Sequence, residues 1–259
     1  MPASMTVPLT PTESGLKEVN DIKMYYAIYG VAAEGAKPLV MIHGGLGNAD
    51  YWAQQIPVFS KTRQVIVLDS RGHGRSSMSE QTINYALMTR DVLTLMDALG
   101  VATFDLLGWS DGGIIGLELA INYPARVGKI VACGTNYKLA GLRDDMDENE
   151  TFNAYIERAT NDYKALSPNP EGIDAFFNNI ETMWGSEPNY DETQLEAIST
   201  PMLVLAGYHE EAIRLEHTIA MTNLIPTAEL AILPSTGHFA LWETPDVFNT
   251  VAMSFLGNE

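Results

Sequence analysis

The sequence predicts an α/β fold: a mostly parallel central sheet flanked by helices, with a helical insertion ahead of the last strands. Three observations carry that prediction. Apolar runs at 38–42, 65–68, 104–107 and 129–133 alternate with stretches of helical periodicity, the pattern of βαβ units joined by right-handed crossovers. The runs are apolar throughout rather than at every second residue, as strands covered on both faces are. Several end in glycine-rich or polar loops, which an open parallel sheet collects at the carboxyl ends of its strands, where ligands bind.

Residues 1–15 are rich in Pro, Thr and Ser and have neither a basic start nor an apolar core, so they read as a frayed tail rather than an export signal. Leu16–Val19 and Ile22–Tyr29, joined by Asn20-Asp21, predict an antiparallel hairpin at a sheet edge. The strand Pro38–Ile42 runs into His43-Gly44-Gly45-Leu46-Gly47, a small-sided loop whose backbone N–H groups are available to an oxyanion. A helix capped by Asn48 or Asp50 is expected through Phe59, followed by the strand Val65–Leu68. Asp69 to Ser76 then reads as a hydrogen-bonded turn that braces its neighbours. Asn84 to Leu99 has helical periodicity, and Gly100 stands where a helix would stop.

The strand Phe104–Leu107 enters Gly108-Trp109-Ser110-Asp111-Gly112-Gly113. Gly108, Ser110 and Gly112 spell G-x-S-x-G, a strand-to-helix turn so tight that small residues must stand two before and two after the serine. Ser110 is thereby pushed out at the strand tip, beside the free N–H groups of a helix start.

The helix from Ile114 ends before Pro124, and Lys129–Cys133 is the next strand. After Asn136 the pattern changes. No apolar strand occurs up to Glu192; helices are expected near Glu150–Leu166 and Gly172–Trp184, separated by Ser167-Pro168-Asn169-Pro170. The expected organisation is a core of 1–136 and 193–259 with a helical lid at 137–192. Between Leu139 and Glu192 stand 13 acidic and three basic residues, read as a solvated face or, more sharply, as a funnel for cationic substrates. Met183, Trp184 and Phe177 of this stretch either line an apolar pocket or pack into the core. The sheet resumes at 201–206, a helix is expected at 216–224 and a strand at 229–233. The loop Pro234–Phe239 follows, with Thr244, Pro245 and Asp246 placed to cap a terminal helix to about Phe255.

Length and charge narrow the function. The 259 residues suit one α/β domain with an insertion. The 15 basic and 33 acidic residues, net charge −18, argue against a nucleic-acid partner and favour neutral or cationic ligands. No apolar stretch approaches the ~20 residues that span a bilayer, so no membrane partner and a cytoplasmic location are expected. Cys133, the single cysteine, reads as a buried, inert thiol. No cofactor or metal is expected: the sequence has no phosphate loop or metal cluster, and Gly112, Gly113 and Gly116 miss the G-x-G-x-x-G register. Oligomeric state is not legible.

A serine hydroxyl is a weak nucleophile that needs a base, and the base needs an orienting group. Strand tips supply all three in the order Ser110, Glu210, His238. With the His43-Gly44-Gly45 loop, the elbow and the insertion, this order makes the chain resemble the α/β-hydrolase superfamily from about Gly15 to Phe255. The resemblance implies the α/β-hydrolase fold with Ser110 as nucleophile, His238 as base and Glu210 as the acid that orients it. It further implies oxyanion donors at the N–H of Asp111 and of Gly45, with Leu46 the nearby alternative. Relatives commonly carry aspartate where Gly207-Tyr208-His209-Glu210 stands, which leaves Glu211 as runner-up; Thr135 and Asn136, at the other position that can supply the acid, are uncharged. His43 is expected to brace the oxyanion loop, and His73, His209 and His217 to be surface or structural groups.

More narrowly, Gly108–Gly113 and Gly134-Thr135-Asn136-Tyr137 resemble amino-acid ester hydrolases of the valacyclovirase type. That likeness implies a second role for Asp111, binding a substrate ammonium; Trp184, one of the apolar residues of the insertion, is the further substrate-binding candidate. The expected activity is cofactor-free hydrolysis of a small carboxylic ester or lactone through an acyl-enzyme. Carbon–carbon bond hydrolysis and perhydrolysis are alternatives on the same residues, and a non-catalytic ligand receptor is the alternative of another class.

Overall fold

The computed structural model describes residues 7–32 and 35–257. Four wholly buried strands, β3 (Leu39–Ile42), β4 (Val65–Leu68), β5 (Phe104–Trp109) and β7 (Met202–Gly207), form the middle of the sheet together with β6 (Val127–Cys133). The hairpin β1 (Glu13–Val19) and β2 (Ile22–Tyr29) adds antiparallel to β4 at one edge, and β8 (Ala228–Leu233) adds parallel to β7 at the other. The eight strands lie in the order β1-β2-β4-β3-β5-β6-β7-β8, and every pair from β4 to β8 is parallel. The carboxyl ends of β3, β5, β6 and β7 therefore open on one side, at residues 43, 110, 134 and 208.

The helices follow the periodicity with instructive departures. Of the predicted tail, residues 1–6 lie outside the described residues, and β1 begins at Glu13 rather than Leu16. Its polar start pairs with the full length of β2, Glu13 opposite Ile28, so ladder bonding overrides weak strand propensity. The single helix expected up to Phe59 is instead a 3-10 turn (Ala49–Trp52), which Asn48 caps, followed by the short α1 (Ile56–Phe59). Pro57 explains the break, since it has no N–H for a continuous helix. Helix α2 (Tyr85–Ala98) is capped by the Asn84 side chain, which accepts from Leu87 N, and α3 (Asp111–Asn122) leaves directly from Ser110.

Between β6 and β7 the chain is helical: α4 (Glu150–Leu166), α5 (Ile173–Trp184) and α6 (Glu192–Glu196), with 3-10 turns among them. A capping box of Asp191 and Gln194 opens α6, which the sequence reading overlooked although D-x-x-Q is its signature. Tyrosine hydroxyls fasten this insertion to the core, Tyr190 to Glu118 at 2.7 Å and Tyr51 to Asp162 at 2.9 Å. After β7 come α7 (Leu215–Leu224), the short unforeseen α8 (Ala240–Glu243) and α9 (Pro245–Leu256). Thr244 precedes α9 without capping it through its side chain, because its hydroxyl meets that of Thr236 at 3.2 Å. Cys133 is buried, as expected.

The turn 69–76 braces the loop after β3. Asp69 accepts from Ala49 N at 2.7 Å, and Ser70 N donates to His43 Nε2 at 3.0 Å. Behind the turn, Arg71 forms a bidentate pair with Asp91, both at 2.8 Å, with both side chains wholly buried. Arg71 also reaches the partly exposed Asp21 at 2.8 Å, but removing Asp91 takes away the only wholly buried carboxylate paired with the buried guanidinium among the described residues. Asp91→Ala is therefore expected to lower unfolding free energy by about 3 kcal/mol in a urea titration, an outcome that a change below about 0.5 kcal/mol would contradict.

Candidate active site

At the tip of β5 the chain turns directly into α3, and Ser110 takes the strained backbone angles φ 53°, ψ −116°. Two close approaches explain why glycines flank it. A Cβ on Gly112 would lie 2.1 Å from the Ile42 carbonyl oxygen, and one on Gly108 would lie 2.3 Å from that of Gly112. Ser110 N is anchored to Cys133 O at 2.8 Å, while the N–H of Asp111, in the first turn of α3, has no helical acceptor.

The loop after β3 lies alongside. Gly44 O accepts from His43 Nδ1 at 2.7 Å and from Gly47 N at 3.0 Å. Since Ser70 N–H donates to Nε2, His43 holds its proton on Nδ1, and burial lowers its pKa to about 4, so it stays neutral. This is the bracing role expected of it. Leu46 has φ 64°. The backbone N–H groups of Gly45 and Leu46 donate no hydrogen bond among the described residues, although both residues are buried. Buried N–H groups are rarely left so. A Cβ on Gly45 would fall 2.3 Å from the Trp184 ring and 2.6 Å from Asp111 Oδ2, so loop, elbow and insertion converge at this residue.

His238 and Glu210 approach from the other side. Glu210 Oε1 accepts from Ala212 N at 3.1 Å, from Ile213 N at 3.2 Å and from His238 Nδ1. Glu211 does not reach the ring. Its Oε2 accepts from His238 N, while Glu243 accepts from Gly237 N, so these two acids hold the backbone of the histidine loop. Gly134, at φ 57°, lets the chain pass the imidazole: a Cβ there would sit 2.9 Å from Nδ1. Trp109 Nε1 donates to His238 O at 2.9 Å, which ties the elbow to the same loop. Burial, the largest single influence on His238, disfavours its cation, but the charge and hydrogen bond of Glu210 outweigh it, and the pKa lies above the ordinary 6.5.

Ser110, Asp111, Trp184 and His238 all line one pocket. Ser110 Oγ itself makes no hydrogen bond among the described residues. Asp111 is buried; its carboxylate accepts from Trp184 Nε1 at 3.1 Å and from Tyr85 OH at 3.0 Å. Burial lifts its pKa to about 6 against the opposing pull of those donors. Glu187 adds a second acid to the wall, and among the described residues lining the pocket there is no lysine or arginine. Tyr85, Phe152 and Glu187 belong to this wall and were not anticipated, because nothing local distinguishes them from ordinary helix and loop residues. Met183 packs in the core, Phe177 packs against it, and neither lines the pocket. His73 is buried, His209 exposed, and His217 stacks on Tyr137. No group of three or more His, Cys, Asp or Glu among the described residues is arranged to hold a metal ion, and no helix there is long and apolar enough to cross a membrane.

The Glu210–His238 pairing makes a measurable statement. In histidine-labelled protein followed by NMR, the His238 ring is expected to titrate above 6.5, and Glu210→Gln to move the midpoint down, since burial then meets less opposition. An unmoved midpoint would contradict the pairing.

Comparison with known proteins agrees with this architecture. Residues 37–163 match the family model described as the alpha/beta hydrolase fold. The chain is 27% identical over 264 residues to RutD of Caulobacter sp. (strain K31), a candidate carbamate hydrolase, covering 91% of this chain and 96% of the relative. It is likewise 27% identical over 271 residues to a 2-hydroxy-6-oxo-6-phenylhexa-2,4-dienoate hydrolase of Comamonas testosteroni, covering 91% and 93%. Among solved structures, Est816, described as an N-acyl homoserine lactone degrading enzyme, superposes with a TM-score of 0.73 at 26% identity over 93% of this chain and 100% of that one. With its parallel sheet, its strand-to-helix elbow and these likenesses, the chain has the α/β-hydrolase fold.

Proposed function

We propose that the protein is a serine hydrolase of small carboxylic esters or lactones that are neutral or positively charged. One observation carries the reading: Ser110 and the Glu210-paired His238 border the same pocket, next to backbone N–H groups that have no other partner.

In this reading Ser110 Oγ attacks the substrate carbonyl carbon and His238 Nε2 takes its proton, while Glu210 keeps the other ring nitrogen protonated and stabilises the imidazolium. The carbonyl oxygen becomes an oxyanion held by the N–H groups of Asp111 and Gly45, with Leu46 as the adjacent donor. Each such donor contributes roughly 3 kcal/mol to the transition state. Collapse of the adduct expels the alcohol, which receives the proton from His238; in a lactone it stays attached to the acyl chain. Water, activated by the same histidine, then releases the acid and free Ser110. Serine–histidine bonds often close only when substrate binds, consistent with a Ser110 Oγ that has no acceptor. The helices between β6 and β7 act as the lid.

Charge supports the substrate class. Asp111 and Glu187 face the pocket with no lysine or arginine lining it among the described residues, so a carboxylate on the substrate would meet like charge, whereas an ammonium or a neutral group would not. Asp111, with Trp184 packed over it, is the proposed binding group for a cation. Carbon–carbon hydrolysis is the second reading, favoured by the likeness to the dienoate hydrolase. A dienoate carries the carboxylate that this pocket disfavours.

Release of p-nitrophenol from p-nitrophenyl acetate should fall by at least about 10³-fold in Ser110→Ala, and a fluorophosphonate should label the wild type at Ser110 alone. Equal rates in the two proteins would sink the hydrolase reading and leave a ligand receptor. Across a substrate panel, neutral and aminoacyl esters are expected to exceed a succinate half-ester by roughly tenfold or more in kcat/KM. Faster turnover of the half-ester, or of a dienoate, would overturn the substrate class.

A further inference from the structure

Tyr155 lies on α4, in the insertion, yet its hydroxyl donates a hydrogen bond to the carbonyl oxygen of Gly45, 110 residues earlier in the chain. That carbonyl belongs to the Gly45–Leu46 peptide. The preceding peptide, Gly44–Gly45, is held at its own carbonyl by His43 and Gly47. In a trans peptide C=O and N–H point in opposite directions, so a donor on each carbonyl sets the direction of each N–H. The core thus orients the N–H of Gly45, and the insertion orients that of Leu46.

The ring of Tyr155 is placed by the same groups that surround the reacting residues. It meets Trp109, the residue before Ser110, edge to face at 5.6 Å between centroids, and Phe239, the residue after His238, at 5.1 Å. Trp242 and Phe152 stand at 6.1 Å each. The side chain is buried, and burial holds the phenol pKa well above its ordinary value, so the hydroxyl remains a donor. From α5, Trp184 closes against Gly45 on its Cα side. Gly45 is therefore gripped by both long helices of the insertion.

We propose that Tyr155 is a positioning residue for the oxyanion loop: by holding the Gly45 carbonyl it aims the Leu46 N–H beside the core-held N–H of Gly45, which makes the helical insertion part of the transition-state-binding structure and not only a wall of the pocket. The proposal rests on the serine-hydrolase reading above. A hydrogen bond that acts on donor direction counts mainly when charge develops on the substrate oxygen, so its loss falls on kcat and spares ground-state binding.

Tyr155→Phe removes the hydroxyl and keeps the ring. With p-nitrophenyl acetate, and rates referred to sites titrated by a fluorophosphonate, kcat is expected to fall roughly 10- to 100-fold, the scale of a misplaced reacting geometry. KM should stay within about twofold, and affinity for an aryl boronic acid that forms a tetrahedral adduct on Ser110 should fall by the same factor as kcat. Tyr155→His, which keeps a ring and a donor, should recover part of the loss. A kcat within about twofold of wild type, a loss confined to KM, or equal kcat in the Phe and His variants would overturn the proposal, the last by assigning the loss to packing. Failure of the underlying reading looks different: wild type and Ser110→Ala would then turn over at the same rate.

Discussion

The structure depends on one steric constraint, the jamming of the start of α3 against the ends of β3 and β5. Gly112 packs so closely on the Ile42 carbonyl that no side chain fits, and Gly108 is equally crowded by Gly112. Between them Ser110 is driven to φ 53°, a conformation costing about 1–3 kcal/mol for a residue with a Cβ. The surrounding sheet, buried on both faces, makes that strain tolerable because the strands cannot shift to relieve it. The consequence is chemical. A hydroxyl stands clear of the backbone, beside the N–H groups of a helix start, in register with the loop after β3.

Other loops converge on this point because the sheet is parallel. The loops after β3, β6, β7 and β8 emerge on the same side, so His43, Gly134, Glu210 and His238 meet although they are spread over nearly 200 positions of the chain. Two adjacent glutamates divide the labour after β7. Glu210 turns inward to the imidazole, and Glu211 turns to the backbone of the histidine loop, so orientation of the ring and of the loop that carries it are separate bonds. The insertion completes the enclosure by contacting Asp111 through Trp184 and Gly45 through Tyr155. Pocket wall and loop geometry are thus shared between core and insertion.

Much of this was legible beforehand, for reasons that differ from residue to residue. Buried parallel strands announce themselves as apolar runs, and G-x-S-x-G announces close packing, because both follow from local sterics. Asn84 and Gly100 bound α2 through local hydrogen bonding and backbone freedom, as expected. Where local rules met a competing partner, the expectation failed. Thr244 looked like a helix cap, but its hydroxyl has Thr236 as a neighbour. Pro57 broke the helix expected to run from the Asn48 or Asp50 cap through Phe59. Glu13 entered a strand because β2 offered it a full ladder.

By itself the sequence determined the order of the strands and of the longer helices, the elbow, and a serine, an acid and a histidine near strand tips, since each is encoded by neighbours within a few residues. Only the tertiary structure decided which glutamate faces the imidazole, that Tyr85 and Glu187 line the pocket, and that Tyr155 grips the loop after β3. These depend on pairs separated by up to 110 residues, and the direction of a side chain across such a gap is set by packing that no local pattern encodes.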